Sequence, residues 1–138
     1  MATEIRPEVS KKSEYYIPKD RYYELKHFVM QYKEFAKMYV NLVHGYQHPT
    51  PTDYIFINNG NGHSDPTVDA AILTTKLSGY MDQIISAADE TDPVIGPMIF
   101  KNVSEGYSYD NSPCDIPCCK ETYYKLYRKF FWLLSGRH

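Results

Sequence analysis

The stretch that decides the fold is IPCCKETYYKLYRKFFWLL, at residues 116–134. At 3.6 residues per turn, its apolar and aromatic side chains fall on one side of a helix and its charged side chains on the other. The first side carries Tyr123, Leu126, Tyr127, Phe130, Phe131 and Leu134, and the second carries Glu121, Tyr124, Lys125, Arg128 and Lys129. Pro117 is typical of a helix entry and Gly136 of a helix end. The stretch therefore predicts an amphipathic helix of about five turns with one basic face.

Charged residues are unevenly distributed along the 138-residue chain, although the formal net charge is only −2. Residues 11–37 hold seven basic and four acidic side chains, residues 40–116 hold two and ten, and residues 117–138 hold five and one. Two basic ends therefore flank an acidic middle, a pattern that can indicate contact with nucleic acid. The hydrophobic share of 43% and the charged share of 23% are ordinary for a globular domain.

Three cysteines, Cys114, Cys118 and Cys119, lie within six positions. Their C-x3-C-C spacing matches neither a zinc ribbon nor a redox C-x-x-C motif. The sequence shows no signal peptide and no apolar run of the roughly 20 residues that span a bilayer. We therefore expect reduced thiols in a cytoplasmic protein with no membrane partner, no bound metal and no cofactor. The histidines are scattered and complete no catalytic motif, so we expect no enzymatic activity; they are His27, His44, His48, His63 and His138.

The first half of the chain shows three segments of different composition. Residues 1–13 are polar and predict a mobile arm. Apolar residues recur every three or four positions through 14–44, which predicts one helix, or two helices separated near Tyr32. We expect this apolar face to pack into the core, with a coiled-coil or dimer seam as the alternative. Residues 45–64 are rich in Pro, Asn and Gly and predict a long loop.

Two Asp-Pro pairs mark helix starts, because Asp is a good N-cap and Pro suits the first helical position. Asp65-Pro66 predicts a central helix over 65–90, and Asp92-Pro93 predicts a short helix through Val103, before the break at Gly106. The inward residues are expected to be Val68, Ile72, Leu77, Ile84, Ile85 and Ala88 in the first, and Val94, Ile99, Phe100 and Val103 in the second. The sequence therefore predicts an all-α fold, one domain of four to five helices over 14–138.

Residues 92–138 have the element order of a helix-turn-helix, in which the second helix enters the major groove of DNA. A short helix, a Gly break and the polar segment 107–115 precede the basic helix. Its first turns would meet base edges, and cations further along would neutralise phosphates. The predicted DNA-binding residues are Lys120, Glu121, Thr122, Tyr124, Lys125, Arg128 and Lys129. The alternative is a solvated basic face on a helix that only packs.

A family resemblance rests on DIPC at 115–118, TYY at 122–124, YRKFF at 127–131 and LL at 133–134. These motifs resemble the C-terminal end of phage and prophage transcription regulators of the RinA/ArpU type, whose C-terminal part is similar to sigma-factor region 4. The stretches GHSDPT at 62–67 with AAI at 70–72, and YYELKHF at 22–28, are also similar to that family. The resemblance covers residues 13–135.

The resemblance implies a regulator of phage gene expression that binds DNA, without catalysis or a cofactor. It implies a recognition helix over 118–135, with Tyr123, Tyr127 and Phe130 in the core. The chain departs from the pattern at 108–115, the segment expected as the first helix of the motif. That segment is very short and contains Pro113, which removes a helical hydrogen bond and clashes with the preceding turn.

A second hypothesis is a non-catalytic protein-interaction module. Trp132 lies on the polar face of the C-terminal helix, where an exposed Trp is often an interface anchor; the alternative is that it packs beneath the N-terminal arm. The acidic middle, 65–115, could imitate nucleic acid or bind a basic partner such as RNA polymerase, a sigma factor or a defence nuclease, as an anti-CRISPR-like inhibitor does. Under the first hypothesis the partners are duplex DNA and a second copy in a homodimer, in the bacterial cytoplasm.

Overall fold

The structure, a computed structural model, describes residues 14–44 and 66–138. The regular structure in these two ranges is all helical, with no strand, which confirms the all-α prediction. The five helices are α1 (Lys19–Met30), α2 (Tyr32–Val43), α3 (Pro66–Thr91), α4 (Ile95–Glu105) and α5 (Lys120–Arg137). The predicted arm at 1–13 and the predicted loop at 45–64 lie outside the described residues.

The chain groups into two compact units, a finer division than the single domain that the sequence predicts. Among the described residues, one unit comprises 14–32 and 83–138, and thus holds α1, α4, α5 and the end of α3. The other comprises 33–44 and 66–82, and thus holds nearly all of α2 and the first part of α3. The break between α1 and α2 confirms the two-helix alternative for 14–44, with Gln31 between them.

The first unit is built around aromatic side chains. α1 packs against α4 and α5, and α4 packs against α5. Tyr22 of α1 is fully buried, with its ring centroid 5.1 Å from that of Phe131 and its hydroxyl 2.7 Å from the hydroxyl of Tyr127. Edge-to-face ring pairs of this kind add to the stabilisation from area burial alone. The core also takes in Leu25, Phe28, Val29, Ile84, Ala87, Ala88, Ile95, Ile99, Val103, Tyr123, Phe130 and Leu134.

The second unit joins α2 to the beginning of α3. Phe35 and Met38 of α2 are buried, and the Phe35 ring centroid lies 5.3 Å from that of Tyr80. In the part of α3 that belongs to this unit the buried residues are Leu73 and Leu77. Val68 and Ile72 are 51% and 59% exposed, so their predicted inward placement is wrong. Successive residues of an α-helix are rotated by about 100° around its axis. Because the buried stripe of α3 begins at Leu73, Ile72 lies to one side of that stripe.

A short corner links α3 to α4, and Asp92 forms it. Its Oδ1 accepts hydrogen bonds from the backbone N–H groups of Val94 and Ile95, both at 2.8 Å. Asp92 therefore caps α4, as the Asp-Pro pair predicts, and Ile99 and Val103 are buried as expected. Val94 is 55% exposed, so its predicted inward placement is wrong: it lies in the capping turn, ahead of the helical periodicity.

Replacing Asp92 by alanine is expected to lower the free energy of unfolding by about 1 kcal/mol at neutral pH, as for other N-caps. The N–H groups of Ile95 and then Val94 hold the pKa of this carboxyl below its ordinary value. A carboxyl group whose pKa is lowered in the folded state contributes to the free energy of unfolding at pH values above its unfolded-state pKa. That contribution is lost as the pH falls through the folded-state pKa. Urea unfolding should therefore show a difference between wild type and Asp92→Ala that shrinks below about pH 4.

The matched control is Asp92→Asn, because asparagine caps a helix about as well as aspartate but carries no charge. It should match the wild type at neutral pH and show a smaller dependence on acid. Equal stability of Asp92→Ala and Asp92→Asn at neutral pH would contradict the capping role.

The connection from α4 to α5 corrects the helix-turn-helix expectation. Gly106 ends α4 with φ +82°, as predicted, and the N–H of Tyr107 donates to the Asn102 carbonyl oxygen at 2.8 Å. Residues 106–119 then form turns without any helix, so the first helix expected at 108–115 is not present. A helix-turn-helix joins its helices by a turn of three to four residues, and this connection is much longer. The structure does not confirm that motif.

Side-chain hydrogen bonds explain why this connection is not helical. The Asn111 carbonyl oxygen Oδ1 accepts from the backbone N–H of Ser108 at 2.6 Å, which is the local competition that disfavours a helix. The Tyr109 hydroxyl donates to the Cys118 carbonyl oxygen at 2.6 Å. The Ser112 hydroxyl donates to Oδ1 of the buried Asn102 at 3.1 Å. The connection is therefore attached to both of the helices that it joins.

Candidate nucleic-acid interface

The candidate interface is the outer face of α5. The helix runs over Lys120–Arg137, with Cys119 as its N-cap in an extended conformation. It starts two residues after the predicted Cys118, and it continues through Gly136, so the predicted C-cap at that glycine is wrong by one to two residues. Helix ends are commonly uncertain by this much when read from sequence. The predicted amphipathic helix is confirmed.

The inner face of α5 matches the prediction. Tyr123, Tyr127, Phe130, Phe131 and Leu134 are buried, and Leu126 is partly buried. Burial raises the pKa of Tyr123 to about 12, although the Asn102 amide Nδ2 donates to its hydroxyl at 3.2 Å. This tyrosine is therefore neutral near pH 7 and acts as a core residue.

Tyr124 is the exception among the predicted DNA-binding residues, because it is buried rather than presented to solvent. Its hydroxyl accepts a hydrogen bond from the backbone N–H of Tyr109 at 3.3 Å. Its ring centroid lies 5.0 Å from that of Tyr123 and 5.5 Å from that of Tyr127. The helical wheel fixes only the direction of its Cα–Cβ bond, and the long ring turns inward to join its aromatic neighbours.

The other predicted residues reach the surface in two groups. Lys120, Glu121, Thr122 and Lys125 are exposed, and Arg128 and Lys129 are partly exposed. The Lys120 ammonium pairs with Asp110 at 2.8 Å, and this partner raises its pKa. Lys125 and Arg128 form no ion pair with any residue of 14–44 or 66–138. No carboxylate of the described ranges therefore neutralises these two cations.

The exposed residues follow one stripe along the helix axis. Glu121, Lys125, Arg128 and Trp132 are separated by three or four positions, the spacing that places side chains on one face. Lys129 flanks the stripe, one turn after Lys125. From Glu121 to Trp132 the stripe extends for about 16 Å at 1.5 Å per residue. The structure thus brings together six of the seven predicted DNA-binding residues on exposed or partly exposed surface of α5.

Three acidic residues of the first unit have local partners. Asp110 pairs with Lys120, Glu90 pairs with Arg137, and Asp92 caps α4. Asp89 and Asp115 are exposed and form no ion pair among the described residues. The nucleic-acid-mimic hypothesis needs contiguous carboxylates that are free to meet a basic partner, and these local contacts remove three carboxylates from such a surface.

Two neighbouring thiols differ in their surroundings at the beginning of α5. The Thr122 hydroxyl lies 3.2 Å from the Cys119 Sγ, and hydrogen bonds from this hydroxyl and from the Thr122 backbone lower the pKa of the exposed Cys119 thiol. Burial raises the pKa of the Cys118 thiol. The sequence does not reveal this difference, because it arises from the capping position of one cysteine.

Iodoacetamide is therefore expected to modify Cys119 before Cys118, with rates that differ roughly tenfold near neutral pH, because the thiolate is the nucleophile. Peptide mapping by mass spectrometry after short exposure would measure the order. Thr122→Val removes the hydroxyl donor and should slow the modification of Cys119, whereas Thr75→Val, which changes an exposed threonine of α3, should not. Faster modification of Cys118 would contradict the assignment.

Trp132 lies beside the segment that precedes α1. Trp132 is 44% exposed, and its ring centroid lies 5.6 Å from that of Tyr15. No group of three His, Cys, Asp or Glu side chains suited to hold a metal occurs in the part of the chain that the structure describes. His48 and His63 lie outside that part. None of the helices in the described ranges combines the length and apolar character needed to cross a bilayer.

Comparison with known proteins adds no assignment: no protein-family model, no curated protein and no solved structure matches the chain.

Proposed function

We propose that this chain is a non-catalytic regulator that binds duplex DNA through the exposed stripe of α5. The observation that carries the proposal is that Lys125 and Arg128 lie on one helical face without an ion-pair partner among the described residues. Cations in this arrangement gain by displacing the counterions that surround DNA phosphates. The resemblance to RinA/ArpU-type phage regulators supports the same function.

Within this proposal, the residues of α5 divide into two tasks. Lys125, Arg128 and Lys129 contact phosphates, which fixes the orientation of the helix on the duplex. Glu121 and Thr122, in the first turn, reach base edges in the major groove. Glu121 accepts a hydrogen bond from the amino group of a cytosine, and Thr122 contacts a hydrogen-bond donor or a thymine methyl group. Lys120 joins the phosphate contacts when an anion replaces Asp110. Tyr124 has no place in the interface because it is buried.

The proposal extends to two copies of the chain on one duplex. A single helix buries little surface on DNA, and dimers gain specificity by contacting two half-sites one helical turn apart. A role of this kind places the protein in the cytoplasm of a bacterial host, with duplex DNA as its main partner. RNA polymerase is the further partner that a regulator of transcription would meet there.

Fluorescence anisotropy on a labelled duplex of about 30 base pairs tests the proposal, with the salt concentration varied. Two or three phosphate contacts in each bound copy predict a slope of about −2 to −3 per copy in a plot of log K against log salt. Such a slope supports release of counterions by the stripe. An absence of binding at low salt, or binding that salt does not weaken, would overturn the proposal.

A protein-interaction function is the second candidate, and Trp132 is the observation that favours it. The Trp132 side chain is 44% exposed on a charged helix face, and tryptophan is enriched among the residues that contribute most of the binding energy at protein interfaces. Trp132 lies toward the end of α5 and Glu121 and Thr122 lie at its start. The two functions therefore use different ends of the helix, and a protein partner bound at Trp132 would compete with DNA for Arg128, one turn away.

A further inference from the structure

An open groove of about 750 Å³ lies beside Trp132, between the last turns of α5 and the segment that leads into α1. Most of its wall is apolar and comes from Tyr16, Ile17, Pro18, Trp132, Leu133 and Gly136. All of these residues belong to the first unit. A volume of this size is within the range that protein pockets use to hold a ligand side chain or small molecule.

Local contacts fix both walls of the groove. The Arg21 guanidinium donates through Nη2 to the Ser135 carbonyl oxygen at 3.2 Å and through Nε to the Ser135 hydroxyl at 3.4 Å. Ile17 is only 3% exposed, so the segment before α1 is fastened to the core. A binding surface that is already formed loses little conformational entropy when it takes a partner.

The charge around the groove has one sign on the α5 side. Arg128 precedes Trp132 by one helical turn, and Lys125 and Lys129 lie beside it on the same helix. Lys125 and Arg128 have no ion-pair partner in the described ranges. None of the residues that line the groove carries a carboxylate, and its single cation, Arg137, is paired with Glu90. The apolar groove therefore has a basic flank in which Lys125 and Arg128 pair with no described carboxylate, whereas Lys129 lies close enough to Asp92 to help lower the pKa of that carboxyl.

We propose that this groove binds a short acidic peptide segment of a partner protein. One aromatic or large aliphatic side chain of that segment occupies the space between Trp132 and Pro18. Aspartate or glutamate residues beside it pair with Arg128 and Lys129. Tryptophan and arginine are among the residue types that supply most of the binding energy at protein interfaces, where they lie near the centre and become well packed when the partner binds. This function goes beyond DNA binding and does not depend on it.

Selection from a displayed library of random peptides, about 12 residues long, tests the proposal on the full-length protein. Selected peptides should share one aromatic or large aliphatic residue flanked by Asp or Glu. Binding of a synthetic selected peptide is then measured through tryptophan fluorescence, because Trp132 is the only tryptophan in the chain. The emission should change on binding, and Arg128→Gln should weaken binding by about tenfold.

A matched pair of glycine substitutions separates the groove from the rest of the surface. Gly136 and Gly79 are both helical and have no atom within 4 Å of an added Cβ, so a side chain can begin at either position without a clash. Gly136→Leu places its side chain in the groove and should reduce peptide affinity more than tenfold, while duplex binding is retained. Gly79→Leu lies outside the groove and should leave peptide affinity unchanged.

Three results would overturn the proposal. The first is selection that yields no shared peptide sequence, or peptides that bind Gly136→Leu as well as they bind wild type. The second is quenching of Trp132 by single-stranded oligothymidine that Gly136→Leu abolishes, which would assign the groove to a stacked base. The third is a dimer in sedimentation analysis that Gly136→Leu dissociates, which would assign it to a second copy. Loss of duplex binding alone bears only on the DNA proposal.

Discussion

Replacing Gly96 by alanine is expected to destabilise the protein by about 3 kcal/mol, more than typical single substitutions do. Gly96 lies in the first turn of α4 and is buried against α3. A Cβ added to it would lie 1.8 Å from the carbonyl oxygen of Ala88 and 2.7 Å from the carbonyl carbon. Both atoms belong to the backbone, so no side-chain rotation can relieve the overlap. The two helices would have to separate, which would disturb the capping turn at Asp92.

Urea unfolding followed by far-UV circular dichroism measures this effect, and two other glycines provide the control. Gly79→Ala and Gly136→Ala introduce the same methyl group into helices where nothing lies within 4 Å of the added Cβ. Each should raise the free energy of unfolding by about 0.5–1 kcal/mol, because alanine has the higher helix propensity. A Gly96→Ala variant as stable as wild type would show that α3 and α4 do not approach at this point.

The sequence predicts helices best where a capping signal and a long apolar period coincide. Asp92 caps α4, and the central helix predicted at 65–90 is observed as Pro66–Thr91. The interruption between α1 and α2 has weaker support in the sequence, because Gln31 is neither glycine nor proline. The apolar period on both sides allows one helix or two, and only tertiary packing decides between them.

Errors in the predicted faces have a common physical cause. A helical wheel gives the direction of each Cα–Cβ bond around the helix axis. Burial of the side chain also depends on the elements that pack against that side of the helix and on the length of the side chain. Tyr124 turns inward because aromatic neighbours and the Tyr109 N–H are within its reach. Ile72 is exposed because the buried stripe of α3 begins one residue later, at Leu73. The pattern of apolar and polar residues within α5 or α3 does not predict that Tyr124 is buried or that Ile72 is exposed.

The basic stripe and the groove differ in how far sequence can predict them. The stripe lies within one helix, so residue spacing alone places Lys125, Arg128 and Lys129 together. The groove combines Tyr16 and Pro18 with the end of α5, and the contact between Arg21 and Ser135 joins residues 114 positions apart. A contact of that separation is created by the packing of α1 against α5, and one sequence carries no local signal for it.

Neutralising Lys125 and Arg128 together, as Lys125→Gln/Arg128→Gln, is expected to reduce affinity for duplex DNA about 60-fold for each bound copy at roughly 0.1 M salt. Each phosphate contact contributes a slope of about 0.9 and a factor of about 8 at that salt concentration. The plot of log K against log salt should therefore become less steep by about 1.8 per bound copy. Glutamine keeps a long side chain with good helix propensity, so the variant should fold normally. Anisotropy titrations at several salt concentrations measure both quantities.

The matched control for charge is Lys76→Gln/Lys101→Gln, which removes two positive charges from exposed positions on α3 and α4. If only the net charge of the protein attracted DNA, both double variants would lose affinity equally, because long-range steering depends on total charge. If α5 forms the contacts, the control variant keeps nearly the wild-type slope. The slope for Lys125→Gln/Arg128→Gln then corresponds to about two fewer released counterions. Equal slopes for the two variants would therefore remove α5 as the DNA-binding surface, even though DNA binding itself survived.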